Sequence, residues 1–120
     1  MEKKDLKPAG VFKYFEEICQ VPRPSKKEEK MIAYLKAFGA KHNLETKVDE
    51  AGNVLIKKPA TPGKENLQTV VLQSHIDMVC EKNNDVQHDF LTDPIETEID
   101  GEWLKAKGTT LGADDGIGCA

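Results

Sequence analysis

No excess of either charge marks this sequence. Lysine and arginine number 17 against 21 aspartates and glutamates, a formal net charge of −4, with the two signs interspersed. A chain built to hold nucleic acid or an anionic membrane needs a basic patch, so neither partner is expected. Cysteine is scarce: Cys19, Cys80 and Cys119 are an odd number with no CxxC pair. No apolar signal-peptide core follows Met1-Glu2-Lys3-Lys4-Asp5, and together these features point to a reduced, cytoplasmic setting. Long hydrophobic runs are missing too, none approaching the ~20 residues of a membrane span. There is no internal repeat, low-complexity tract or linker. At 120 residues the chain is one domain or less, since domains cluster at roughly 100 to 150 residues. Its 38% hydrophobic residues and 9 glycines are ordinary for a globular protein.

What is present is a succession of short patterned segments. Pro8 suits the first turn of a helix whose apolar residues Val11, Phe12, Phe15, Ile18 and Cys19 recur at helical spacing, until Pro22 and Pro24 end it. Ser25-Lys26-Lys27-Glu28 reads as a capping box opening a second helix, with Met31, Ile32, Leu35 and Phe38 on one stripe and Asn43 as its stop. Residues 44–48 and 54–57 alternate about a Glu50-Ala51-Gly52-Asn53 turn and predict an antiparallel pair. Residues 59–68 are rich in turn formers, and residues 81–98 lack periodicity, which predicts loops. Residues 99–107, with Asp100-Gly101 as a turn, predict a small ribbon. Trp103 and Phe90 are expected as core or loop anchors.

The stretch Thr69-Val70-Val71-Leu72-Gln73-Ser74-His75-Ile76-Asp77 stands out. Its β-branched and aliphatic run is too short for an ordinary helix and predicts a strand buried on both faces. Alternate side chains of an extended chain point the same way, so His75 and Asp77 share one side, an imidazole beside a carboxylate at a strand end, where α/β sheets keep their ligands. Gly112-Ala113-Asp114-Asp115-Gly116-Ile117-Gly118 supplies two further carboxylates among small residues that allow close approach. The two stretches together suggest a metal site. Ile117-Gly118-Cys119-Ala120 reads as a first helical turn too short to stand alone, so the chain is expected to be a truncated piece of a longer protein.

Five segments, taken in order, carry a family resemblance. They are Val21-Pro22-Arg23-Pro24-Ser25 with Glu28; Asp49-Glu50-Ala51-Gly52-Asn53-Val54; His75-Ile76-Asp77-Met78-Val79; His88-Asp89-Phe90 through Asp93-Pro94-Ile95; and Asp100-Gly101-Glu102-Trp103 through Gly108-Thr109-Thr110-Leu111-Gly112-Ala113-Asp114. In this order they resemble the cytosolic aminoacyl-histidine dipeptidases, also called Xaa-His dipeptidases or peptidase D, which are co-catalytic zinc exopeptidases. The resemblance covers nearly the whole chain but only the beginning of the family's longer one, which makes residues 1–120 the N-terminal part of a catalytic zinc-peptidase domain.

The resemblance implies an α/β fold, a three-layer mixed sheet flanked by helices and incomplete in this chain, whose sheet holds residues 44–48, 54–57 and 69–74. It implies two zinc ions per active site in the full-length protein, with other divalent metals as alternatives. His75 would ligate one zinc and Asp114 would bridge both. Asp77 would stand behind His75, accepting its other ring N–H and so fixing the tautomer. The peptide bond after the bridging aspartate, Asp114–Asp115, would be cis. The mechanism the resemblance implies is polarisation of the scissile carbonyl by zinc and attack by an activated water, in the hydrolysis of dipeptides with C-terminal histidine. The general base and remaining ligands of the family lie outside these residues, so the 120-residue piece alone is expected to be inactive. A homodimer is expected only through a region absent here.

Blander readings exist for each residue. Taken alone, His-x-Asp is met more often by a histidine that merely hydrogen-bonds a carboxylate than by a ligand; the flanking matches reverse that balance. Asp114 and Asp115 could both cap the last helix, a role that suits Asp115. His88 reads as a loop residue and Cys80 as a small buried hydrophobe. At the level of function, a related zinc aminopeptidase, carboxypeptidase or deacylase is the nearest rival, and a non-catalytic α/β module is the alternative if the natural chain ends at Ala120.

Overall fold

A computed structural model describes all of residues 1–120. The chain forms two compact units, residues 1–31 with 74–120, and residues 32–73.

In the first unit a short 3-10 turn over Lys3–Asp5 leads to α1, Ala9–Cys19, which starts directly after Pro8 as the sequence predicts. Phe15 and Cys19 lie one turn apart on its buried face, where the helical period places residues i and i+4. With Met78 and Ile95 they form the core, against which Phe90, Leu104, Leu111 and Ala113 pack. The ribbon is present: β3, Thr97–Asp100, pairs antiparallel with β4, Trp103–Ala106, putting Asp100 opposite Trp103. Thr97 is buried beside α1, its hydroxyl donating to Glu16 at 2.5 Å while Lys3 Nζ bonds the same hydroxyl oxygen at 3.0 Å. Phe90 is a core anchor, but Trp103 is 76% exposed, because the two-stranded ribbon has a second face that nothing in this chain covers. The last helix, α3, runs Ala113–Cys119 and packs on α1.

The second unit contains most of α2, Glu29–Lys41, and the hairpin of β1, Glu45–Val48, with β2, Val54–Lys57. Asn43 ends the helix as expected. It takes a left-handed φ of 55° while the Leu44 N–H reaches Gly39 O and its own N–H reaches Ala40 O, a Schellman ending. The hairpin register sets Val48 opposite Val54. Its turn is knotted by Asp49, whose carboxylate accepts the N–H groups of Ala51 and Asn53 and the Asn53 side-chain amide. Those bonds, the Asn53 amide first, hold the Asp49 carboxyl below the usual range.

Two further expectations fail. Residues 69–74 form no strand; Val70, Val71 and Leu72 are 78, 79 and 91% exposed. A strand buried on both faces needs a ladder on each edge, and here β1 pairs only with β2 and β3 only with β4. The run has apolar strand character and no partner. The helices and small antiparallel sheets make the chain α/β without the third strand of the expected sheet. Ser25 is not the cap of a box either: α2 begins at Glu29, and the Ser25 hydroxyl is drawn away to Asp77.

Candidate functional site

The site is built in the first unit from three stretches that lie far apart in sequence: 23–25, 75–77 and 112–114. Prolines at 22 and 24 bias the first of these toward extended backbone. Pro24 forms a parallel bridge with Met78, and the Met78 N–H donates to Arg23 O at 3.0 Å. That pairing aligns 75–77 without a regular strand. The expected same-side arrangement of His75 and Asp77 therefore survives the loss of the strand itself.

His75 sits between two carboxylates. Its Nδ1 is 2.9 Å from Asp77 Oδ1, and its Nε2 is 2.9 Å from Asp114 Oδ1, a residue 39 positions away. Asp77 is held from its other side, Oδ2 accepting the Ser25 hydroxyl at 2.5 Å. The result is a chain of contacts from Ser25 through Asp77 and His75 to Asp114. Hydrogen bonds to Asp114, then to Asp77, raise the His75 pKa above its ordinary value. The Ser25 hydroxyl, more than the imidazole, lowers that of Asp77. Each shift favours the charged form of its group.

The stretch at 112–118 departs from a simple helix start. Gly112 has φ 76°, and Asp114 and Asp115 have non-helical backbone within α3, with a cis peptide bond between them as the resemblance implies. This geometry turns the Asp114 side chain out, 96% exposed, toward the imidazole. Neither aspartate is an ordinary cap. At the far end of α3, the Cys119 thiol donates to His75 O at 3.2 Å and lies 3.3 Å from the Ser74 hydroxyl.

The donor set fits zinc in kind. An imidazole with its Nδ1 engaged by a carboxylate presents Nε2, and Asp114 presents oxygen beside it, both usual zinc donors. In number the set is small, as no group of three or more His, Cys, Asp or Glu side chains is arranged to hold a metal ion in this chain. His88 and Cys80 stay out of it, the His88 ring tilted against that of Phe90 and Cys80 packed against the core.

Two residues of the site escaped the sequence reading. Ser25 was hidden by its resemblance to a helix cap. Arg23 is 2% exposed, its guanidinium donating to the carbonyls of Ile76, Asp77 and Gly112. The one signal that could have found it is an arginine locked between two prolines.

No family model matches the sequence. A curated relative, the cytosol non-specific dipeptidase of Escherichia coli (strain K12), is 50% identical over 119 residues, which cover 99% of this chain and 24% of that protein. A solved structure, aminoacylhistidine dipeptidase from Vibrio alginolyticus, superposes with a TM-score of 0.94 at 53% identity, again covering 99% of this chain and 24% of the other. The chain thus spans about a quarter of the length of each protein it matches. Over virtually its whole length this chain is similar in sequence to one dipeptidase and in backbone to an aminoacylhistidine dipeptidase, in agreement with the resemblance that its five segments carry.

Proposed function

We propose that this chain is part of a zinc-dependent dipeptidase of the cytoplasm that hydrolyses dipeptides, those ending in histidine among them. The observation that carries the reading is the placement of His75, with one ring nitrogen on Asp77 and the other facing Asp114, 2.9 Å from each. The names and extent of the two similar proteins support it. In the full-length protein, residues 69–74 become an inner strand of a three-layer mixed sheet, which would bury the exposed Val70, Val71 and Leu72.

Zinc, when bound, supplies polarisation of the scissile carbonyl and lowers the pKa of a water. This chain's residues prepare for it. In the metal-free state both ring nitrogens face carboxylates, so the doubly protonated imidazole is favoured. Nε2 and Asp114 would hold the cation, with Asp77 keeping a proton on Nδ1 and so fixing which nitrogen is free to ligate. Ser25 holds Asp77 ionised and aimed at the ring. Asp114, its side chain 96% exposed, would offer carboxylate oxygen to the metal. A small peptide is the only partner this requires, with no nucleic acid or membrane involved; a homodimer would form through residues outside this chain.

The test uses the full-length protein. Hydrolysis of Xaa-His and other dipeptides is followed with zinc, after chelation, and after zinc is restored. Activity that chelation abolishes, zinc restores and His75→Ala removes is the expected result. Turnover that persists in chelator or in His75→Ala would overturn the reading.

A further inference from the structure

We propose that Arg23 is a positioning residue, a buried clamp that sets the distance between His75 and Asp114. The geometry is that of a single planar group tied to both halves of the site. Nη1 donates to Ile76 O at 3.2 Å and Asp77 O at 3.3 Å, on the segment that carries His75. Nη2 donates to Gly112 O at 2.6 Å, two residues before Asp114. Through its own main chain Arg23 also accepts the Met78 N–H, so backbone and side chain hold one segment together.

The surroundings are shaped for this group. A Cβ on Gly112 would stand 2.5 Å from Nη2 and 2.8 Å from the Met78 sulfur, and one on Gly116 would stand 2.8 Å from Nη2. The guanidinium therefore occupies room that missing side chains leave. No carboxylate forms an ion pair with it; its bonds go to carbonyl oxygens, and Nε has no partner. Burying an uncompensated cation is costly, and an apolar side chain of similar volume would fill the same space. What an apolar residue lacks is a rigid fork that reaches two carbonyls in one direction and a third in another.

The arrangement also separates two contacts of His75. The bond to Asp77 spans two residues and needs no clamp. The contact with Asp114 spans 39 and crosses between the two segments that Arg23 joins. Loss of Arg23 therefore releases Asp114 and spares Asp77. The consequence for metal rests on the dipeptidase reading; the clamp itself does not.

The experiment compares full-length wild type with Arg23→Lys, Arg23→Ala and Gly116→Ala, the last crowding Nη2 while leaving the arginine in place. Three quantities are read: the ring N–H signals of His75 in metal-free protein at mildly acidic pH, the zinc dissociation constant by chelator competition, and kcat and KM. In the variants the Nδ1–H signal should stay and the Nε2–H signal should exchange away. Zinc affinity should fall about 10- to 100-fold, the size typical of groups that orient ligands. Guanidinium added to Arg23→Ala should restore affinity where methylammonium does not. Folded Arg23→Lys and Gly116→Ala proteins with both ring signals and wild-type affinity would overturn the proposal, as would equal rescue by either cation. Should Arg23→Ala not fold, those two variants decide. A wild type that binds no zinc would sink the dipeptidase reading alone, because the ring signals still judge the clamp.

Discussion

Replacing Asp77 by alanine in the full-length protein removes the one group that bonds His75 Nδ1 from behind and also accepts the Ser25 hydroxyl. The imidazole then loses its orientation and its preference for leaving Nε2 free. Orienting carboxylates of this kind are worth about 10- to 100-fold in metal affinity or activity. Two features of the structure place the effect toward the lower end. The His75 side chain is 49% exposed, so water can take over part of the lost bond, and the Asp77 backbone carbonyl already lies 3.1 Å from Nδ1. Asp77→Asn should cost less than alanine, since its oxygen still accepts the Nδ1–H and the Ser25 hydroxyl can turn to accept from the amide. Zinc affinity by chelator competition, turnover per folded molecule and thermal midpoint are measured side by side. An alanine variant with a lowered midpoint but wild-type zinc affinity and turnover would mean that Asp77 only satisfies a histidine.

In metal-free protein the protonated His75 should stabilise the fold. Because its folded pKa is raised above the ordinary 6.5, that contribution is complete below 6.5 and is lost as pH rises through the folded value, so the stability gap between wild type and His75→Gln should close toward alkaline pH. Asp77 has the opposite sign: its depressed pKa gives stability present above 3.8 and lost as pH falls through the folded value, visible as a gap to Asp77→Asn that closes in acid. Phe15 is fully buried at the centre of the first unit's core, and Phe15→Ala should cost about 3–5 kcal/mol in denaturant unfolding; a loss under about 1 kcal/mol would contradict the packing. The 120-residue chain by itself should bind zinc only weakly and hydrolyse no dipeptide, since it offers His75 and Asp114 where a catalytic ion normally has three protein ligands. Stoichiometric submicromolar binding in a calorimetric titration would refute that.

Elements governed by local chemistry were readable in advance. The periodicity of α1, the left-handed Asn43 and the glycine turns of both hairpins depend on neighbours a few residues away, and they stand where the sequence puts them. The His75–Asp77 pair followed from its spacing of two. Elements that depend on distant partners were not readable. An apolar run such as 69–74 has the same pattern whether or not strands flank it. The Ser-x-x-Glu pattern at Ser25 cannot reveal that a carboxylate 52 residues away competes for the hydroxyl. Asp114 is chosen over Asp115 only through the family resemblance, because nothing local in residues 112–118 encodes a contact 39 residues back. Arg23 has no side-chain role legible in its sequence neighbours, and only the fold buries it.

The first unit is discontinuous: its chain departs after Met31 and resumes at Ser74. The bonds from Arg23 and Ser25 cross that gap, the His75–Asp114 contact lies after it, and no residue of 32–73 takes part in any of them. To the site, residues 32–73 are a tether, and the entropy of closing a flexible tether grows only logarithmically, by about 0.6 kcal/mol per doubling of length. Residues 59–68, its turn-rich loop, can therefore be lengthened or shortened at little thermodynamic expense to the site. Residues 59–68 are thus the part of this chain where evolution or an engineer can change length with the least effect on the chemistry.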